Sequence, residues 1–252
     1  MTKIELHNGD CLEIMPQLIK DNIKVDAIIA DIPYGTTACK WDNVIPFEPM
    51  WDRINKLIKD NGAVVLFGSE PFSSKLRMSN LKMYRYDWIW NKDKGSDPLN
   101  ANKRPLNDIE NVMVFYKKNP VYNPQMKIGT PYTRKQKNSR FNDVLEDRDI
   151  VPTDKINLSG LRFPTRIIYF ARDVQKTTHP TQKPVALIEY LVKTYTNEGD
   201  TVLDFTMGSG TTGVACKKLN RKFIGIELDE NYFKLAKERI ENTICRKVLI
   251  DV

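Results

Sequence analysis

Apolar runs and amphipathic stretches take turns along most of the 252-residue chain, and their periods assign the elements. Residues 3–7 read as a short strand, after which Leu12, Met15, Leu18 and Ile19 recur at helical spacing. The unbroken run Val25–Ala30 reads as a strand buried on both faces of a parallel sheet, because such strands do not alternate. Segment 35–48 has no period and reads as a loop. Trp51, Ile54, Leu57 and Ile58 share one face of a helix over 49–60, with Gly62 as its stop and Ala63–Phe67 as the next strand. Residues 84–90 and 111–116 are strand-like. The polar loop between them holds Asn91, Lys92, Lys94, Lys103 and Arg104.

Over 119–178 the periodicity fails, apart from Ile167–Phe170, and proline, asparagine, threonine and basic residues dominate. Sixty residues without a pattern exceed any ordinary connection, which points to a functional insertion. Order returns at Pro184, which suits a first helical turn, followed by Val185, Ile188, Leu191, Val192 and Tyr195 at helical spacing. Strand Thr201–Asp204 leads into glycine-rich 205–213 and a helix to about Leu219. Strand 222–226 ends in Glu227, and Tyr232, Leu235, Ala236 and Ile240 mark a last helix. This alternation is that of an α/β fold with a mixed, mostly parallel sheet.

Composition narrows the class. At 41% hydrophobic and 28% charged residues, the chain can bury one full core carrying a large insertion. No run reaches membrane-spanning length, and the first residues lack signal-peptide architecture, so no membrane partner and a cytoplasmic location are expected. Cys11, Cys39, Cys216 and Cys245 are scattered, and the only histidines are His7 and His179. That spacing fits neither a disulfide framework nor a metal site, and a reducing compartment is expected. The net charge is +7, concentrated in the middle: residues 71–178 carry +10. A basic central block suits a polyanion such as nucleic acid, although a solvated lysine-rich surface has the same composition.

Two stretches carry candidate chemistry. Asp31-Ile32-Pro33-Tyr34 leaves the carboxyl end of a buried strand, the edge where open α/β sheets bind ligands. Proline fixes the backbone there, so the Asp31 carboxylate and the Ile32 carbonyl can be aimed at one point, and Tyr34 offers a flat face. An ordinary capped turn reads the same way. The second stretch is strand, glycine turn, helix, strand, acid: Gly208 and Gly210 permit close backbone approach, and Glu227 is placed for ribose hydroxyls. Gly208, Gly210 and Gly213 also satisfy G-x-G-x-x-G, so this loop alone leaves a nicotinamide dinucleotide open.

Three motifs in a distinctive order decide between these readings. Asp31-Ile32-Pro33-Tyr34, then His179-Pro180-Thr181-Gln182-Lys183-Pro184, then Asp204-Phe205-Thr206-Met207-Gly208-Ser209-Gly210-Thr211-Thr212 make the chain resemble the amino-methyltransferases of DNA in the permuted order called the beta class. Their versions read D-P-P-Y, H-P-x-x-K-P and D-P-F-x-G-S-G-T-T. The resemblance implies a Rossmann-like methyltransferase fold with circularly permuted motif order. Residues 1–118 would be the catalytic half, 119–178 a small irregular target-recognition insertion, and 179–252 the cofactor-binding half.

It further implies S-adenosylmethionine as cofactor, held by Asp204, Phe205, Thr206, Gly208, Gly210, Thr211 and Thr212. Glu227 would meet the ribose, Asp10 and Cys11 the adenine, and His179 and Lys183 the methionine end. Asp10 also reads as a helix cap and His179 as a turn residue, while Cys11, a small thiol, reads as packing more than as chemistry. Asp31, Ile32, Pro33 and Tyr34 would cradle the exocyclic amine of a base flipped out of double-stranded DNA, with Tyr34 stacking on it and Trp41 as a weaker candidate for the same role. Aspartate at position 31 leans toward the N6 of adenine, with the N4 of cytosine as alternative. A cofactor-binding module without catalysis would have no need of this motif. Lys103, Arg104, Arg134, Lys135, Lys137 and Arg140 are the expected phosphate contacts. The resemblance leaves room for a homodimer and for a cognate restriction endonuclease. Two departures stand out: Ile32 replaces the first proline, which leaves a backbone carbonyl in place, and Thr206 follows Phe205 where the family has proline before phenylalanine.

Overall fold

The computed structural model describes residues 3–36, 42–96, 98–134, 155–173 and 182–245. The chain runs β1 (Ile4–Asn8), α1 (Cys11–Lys20), β2 (Val25–Ala30), α2 (Phe47–Leu57), β3 (Ile58–Gly68), α3 (Phe72–Ser79), β4 (Tyr84–Ser96) and β5 (Asn107–Phe115). Four short strands follow: β6 (Lys127–Ile128), β7 (Tyr132–Arg134), β8 (Lys155–Asn157) and β9 (Leu161–Arg162). Then come β10 (Ile167–Tyr169), α4 (Val185–Tyr195), β11 (Thr201–Asp204), α5 (Thr211–Lys218), β12 (Lys222–Glu227) and α6 (Glu230–Glu241).

Eight strands form one sheet in the order β1-β12-β11-β2-β3-β5-β4-β10. The first five are mutually parallel, β5 is antiparallel to both neighbours, and β10 is parallel to β4. Alternate residues of the buried strands enter separate cores. Ile28 and Ala30 pack with Met15, Leu18, Met50, Ile54 and Leu76 of the first three helices. Ala27 and Ile29 pack with Leu187, Leu191, Val214, Ala236 and Ile240 of the last three. Helices thus cover both faces, and that is why the Val25–Ala30 run is apolar at nearly every position.

Residues 124–165 form a compact unit separate from the rest of the chain. Within it, β6 pairs with β9 and β7 with β8, both antiparallel, and the Arg162 guanidinium lies 4.6 Å from the Tyr132 ring centre. Ile128 (91% exposed) and Phe163 (72%) leave large apolar surface in solvent.

Four expectations change. The irregular segment, expected over 119–178, is narrower as a unit, because Ile167–Tyr169 joins the main sheet beside β4 and Asn123 hydrogen-bonds the end of α4. The helix expected to 60 ends at Leu57, and Gly62 lies inside β3, where the β2–β3 register shifts. A Cβ at Gly62 would lie 2.8 Å from the Asp26 carbonyl, so close strand approach, not helix termination, requires glycine. Asn91, Lys92 and Lys94 sit on β4 rather than in a loop. Helix α3, with Phe72 and Leu76 buried, had no period long enough to announce it.

Gly210 caps α5 with φ +79°, and a Cβ there would lie 2.9 Å from the Ala236 Cβ and 3.0 Å from its Cα on α6. Gly210→Ala therefore combines left-handed strain with a helix–helix clash, and should lower unfolding stability by about 2–4 kcal/mol in urea titration. An unchanged midpoint would contradict this packing.

Candidate active site

Parallel pairing places the carboxyl ends of β1, β12, β11 and β2 along one sheet edge, and a cavity of about 750 Å³ opens there. It is lined by Gly9–Leu12 after β1, Asp31–Tyr34 after β2, Asp204–Ser209 after β11, Thr211 and Thr212 of α5, and Glu227 of β12. Lys183 and Gln182, just before α4, complete its wall together with Lys92 and Glu110. The two motif stretches of the sequence share this space, and Thr206 Oγ1 donates to the Asp31 carbonyl at 3.2 Å.

One end is built around the glycine turn. Gly208 has φ +52°, and a Cβ there would meet nothing within 4 Å, so its freedom serves the open cavity. Its N–H donates to Glu227 Oε2 at 2.8 Å, while Glu227 Oε1 accepts from the Asp229 N–H at 2.8 Å. Thr211 and Thr212 belong to the first turn of α5, whose N-terminal N–H groups favour anionic or polar ligand atoms. Asp204 is buried and accepts from the Thr206 N–H at 3.1 Å. Burial pushes its carboxyl up to about 7, against the hydrogen bonds from Thr212 and Thr206. Burial likewise raises the Glu227 carboxyl. Gly210 does not line this space, because its missing side chain serves the contact with α6.

Asp10 both lines the cavity and caps α1, accepting from the Leu12 N–H at 2.7 Å. Cys11 is a buried wall residue. Burial pushes its thiol up to about 12, so it is protonated at neutral pH and is no nucleophile. Phe205 turns into the core as well as bounding the cavity, leaving Thr206 to face Asp31.

At the other end, both oxygens of Asp31 are held. Tyr34 Oη donates to Oδ1 at 2.6 Å, and Lys183 Nζ reaches Oδ2 at 2.7 Å. Burial first, and then the Asp31 charge, raise the Tyr34 hydroxyl well above its ordinary range, so it remains a donor. Phe72 stacks on the Tyr34 ring with centroids 5.1 Å apart. The Ile32 side chain is buried with Phe72 and Phe205, which explains why an apolar residue substitutes for proline there. Lys183 was expected at the methionine end of a cofactor. Its ammonium instead bridges Asp31 and, at 3.2 Å, Glu110. Its neighbour Gln182 is the residue that meets the glycine turn, accepting from Ser209 Oγ at 3.0 Å.

Sequence reasoning missed two groups. Asp42 is 6% exposed and accepts the N–H groups of Tyr34 (2.8 Å) and Gly35 (2.9 Å) on Oδ1 and that of Thr36 (2.8 Å) on Oδ2. It clamps the turn after Pro33 from a segment that has no period. Glu110 pairs with Lys92 at 3.0 Å. Burial opposes its ionisation, but Lys183 and Lys92 hold the carboxyl below the usual range. An acid heading an apolar strand was the one available signal. Lys103 and Arg104 are exposed in the turn between β4 and β5, away from the cavity wall, and Arg134 ends β7. His179, Lys135, Lys137, Arg140 and Trp41 lie outside the described residues.

Residues 25–238 match the DNA methylase family. The chain belongs to that family. It is 29% identical over 231 residues to the type II methyltransferase M.HpaI of Haemophilus parainfluenzae, covering 86% of this chain and 68% of the relative. Over 252 residues it is 28% identical to the DNA adenine methyltransferase YhdJ of Escherichia coli strain K12, covering 93% and 81%. Among solved structures, the M1.HpyAVI–SAM complex superposes with a TM-score of 0.65 and 31% identity, covering 94% of this chain and 99% of that one.

Two outcomes follow from this geometry. Asp42→Ala should strip the acceptor from the Tyr34, Gly35 and Thr36 amides, cost about 2–4 kcal/mol, and speed their hydrogen exchange, with Asp42→Asn intermediate. Equal protection in all three proteins would contradict the clamp. The second concerns pH. An unfolded aspartate titrates at about 3.9, so the folded state holds the Asp204 proton more tightly. Its stabilising contribution is complete below that pH and falls away as pH rises to about 7. Asp204→Asn should therefore flatten the decline of the urea midpoint over this window, and a slope equal to wild type would contradict it.

Proposed function

We propose that this chain transfers the methyl group of S-adenosylmethionine to the exocyclic N6 amine of adenine at a specific sequence in double-stranded DNA. The observation that carries the reading is the single cavity joining the Gly208–Glu227 end to the Asp31–Tyr34 end. The residues fit the cofactor: Gly208 is an open cradle, Glu227 a ribose acceptor, and Thr211 and Thr212 polar groups at a helix N-terminus. Asp10 and Cys11 line the same cavity and would meet its adenine. Bound there, S-adenosylmethionine supplies an electrophilic methyl group on a sulfonium.

What remains for the protein is to make a poor nucleophile attack. The lone pair of a base's exocyclic amine is delocalised into the ring. Hydrogen bonds from that amine to Asp31 and to the Ile32 carbonyl would localise it and aim it at the methyl group. Tyr34 and Lys183 already fix the Asp31 carboxylate, so no reorganisation is needed at the moment of reaction. Carboxylate oxygens have capacity for a further donor beside these two. The attacking amine becomes cationic and then releases a proton, for which a carboxylate is the adjacent acceptor. The raised thiol of Cys11 agrees with direct transfer.

Adenine is favoured by Asp31 in the motif and by the named activity of the YhdJ relative. The base leaves the duplex to enter the cavity and stacks on Tyr34. Lys103, Arg104 and the basic stretch from Arg134 to Arg140 would neutralise phosphates, and the unit at 124–165 would read the sequence. A cognate restriction endonuclease, a homodimer and a cytoplasmic location complete the reading.

Labelled S-adenosylmethionine with mixed DNA, digestion and nucleoside chromatography test it. N6-methyladenine is the expected product, N4-methylcytosine would move the reading to cytosine, and no label in DNA would overturn it. Asp31→Ala should abolish transfer, a loss beyond about 100-fold, while cofactor affinity stays near wild type. Activity surviving in that variant would remove Asp31 from its role.

A further inference from the structure

Four ionised side chains line up behind the reacting edge as Lys92, Glu110, Lys183 and Asp31, alternating in sign and summing to zero. Glu110 divides its oxygens between the two lysines: Oε1 meets Lys92 Nζ at 3.0 Å and Oε2 meets Lys183 Nζ at 3.2 Å. Lys183 then reaches Asp31 at 2.7 Å. The lysine and glutamate side chains are nearly sealed from solvent, at 7% exposed for Lys92, 15% for Glu110 and 8% for Lys183. The Phe67 and Tyr34 rings stand 5.3 Å and 5.7 Å from the Lys183 ammonium.

From this arrangement we infer that Glu110, braced by Lys92, is a positioning residue for methyl transfer, fixing the Lys183 ammonium against the Asp31 carboxylate. The inference rests on the role proposed above for Asp31. A lysine is a point charge on a long flexible stem, and alone it does not define a direction. Lys183 also lies outside the regular elements, two residues before α4. Glu110 and Lys92, by contrast, stand on adjacent antiparallel strands, with Trp90 opposite Glu110 in the register. Their rigidity passes through one ammonium to the carboxylate that meets the amine. An ion pair serving only the core would have no reason to end on the cavity's reactive carboxylate.

The charges also set a pH signature. Burial favours the neutral amine of Lys183, but Asp31 and Glu110 outweigh it and hold the ammonium protonated well above the ordinary lysine range. The groups facing it are Asp31 and the Tyr34 ring beyond β2, Phe67 on β3 and Glu110 on β5, with Lys92 of β4 behind Glu110. Removing Glu110 takes away one of two anions, so Lys183 would lose its proton at lower pH.

The test is single-turnover methylation of DNA by wild type, Glu110→Gln and Lys92→Met/Glu110→Gln, each over a pH series. Glu110→Gln should lower the rate constant about 100-fold with S-adenosylhomocysteine affinity unchanged, and its alkaline limb, which in wild type lies above the pH range duplex DNA tolerates, should move down toward that range. The double variant removes both buried charges together and restores folding stability, yet it should stay slow; without the Lys92 charge its limb should lie between those of Glu110→Gln and wild type. A folded Glu110→Gln with wild-type rate and limb, or recovery of rate in the double variant, would overturn the inference and leave the proposed function standing. Absence of transfer by wild type would overturn both.

Discussion

Register between β11 and β2 is the constraint on which the site depends. Val202 pairs with Ala27 and Leu203 with Ile28, joining segments about 175 residues apart in a parallel ladder. Parallel neighbours end at the same sheet edge, so Asp204 and Asp31 emerge side by side. Slipping this pairing by one residue would turn Ile28 and Ala30 into the opposite helical layer and move both turns at once. The two cores, one on each face, hold the register and with it the geometry at the edge.

Electrostatics then divide the cavity. Toward the glycine turn stand acids whose charge is costly to bury, Asp204 and Glu227, both raised by desolvation. A cationic ligand nearby would favour their ionised forms, which suits a sulfonium cofactor better than a dianionic pyrophosphate. Toward Asp31 the charges are already balanced by Lys183, Glu110 and Lys92. Such a chain contributes little net stability, because desolvating the ions offsets their attraction. Its value lies in holding one carboxylate in a fixed orientation.

Much of this was legible in the sequence, and the reasons are particular. The Val25–Ala30 run, the helix at Met15 and Leu18 and the Thr201–Glu227 unit announce themselves through period, because local burial writes them. Motif spacing located Asp31, Gly208 and Glu227 because each sits at a strand end or in the turn that follows one. Gly210 reads in sequence as a ligand cradle, because a glycine in a turn does not reveal which neighbour approaches it; in the structure Ala236 is one such neighbour. Asp42 and Glu110 act through contacts set by tertiary structure, and no pattern in their own segments encodes that. Lys183 is found by its motif, but its contact with Asp31 is not, since a motif names a residue and not the direction of its side chain.

Two segments about 175 residues apart in sequence meet in one cavity, and the position of a bound methyl donor shows whether they work together. A crystal structure with S-adenosylmethionine should show the ribose on Glu227, the methionine portion along Thr206–Thr212, and the sulfonium methyl directed at the space before Asp31 and the Ile32 carbonyl. A donor bound with its methyl turned away from Asp31, or seated outside this cavity, would separate the two segments in function.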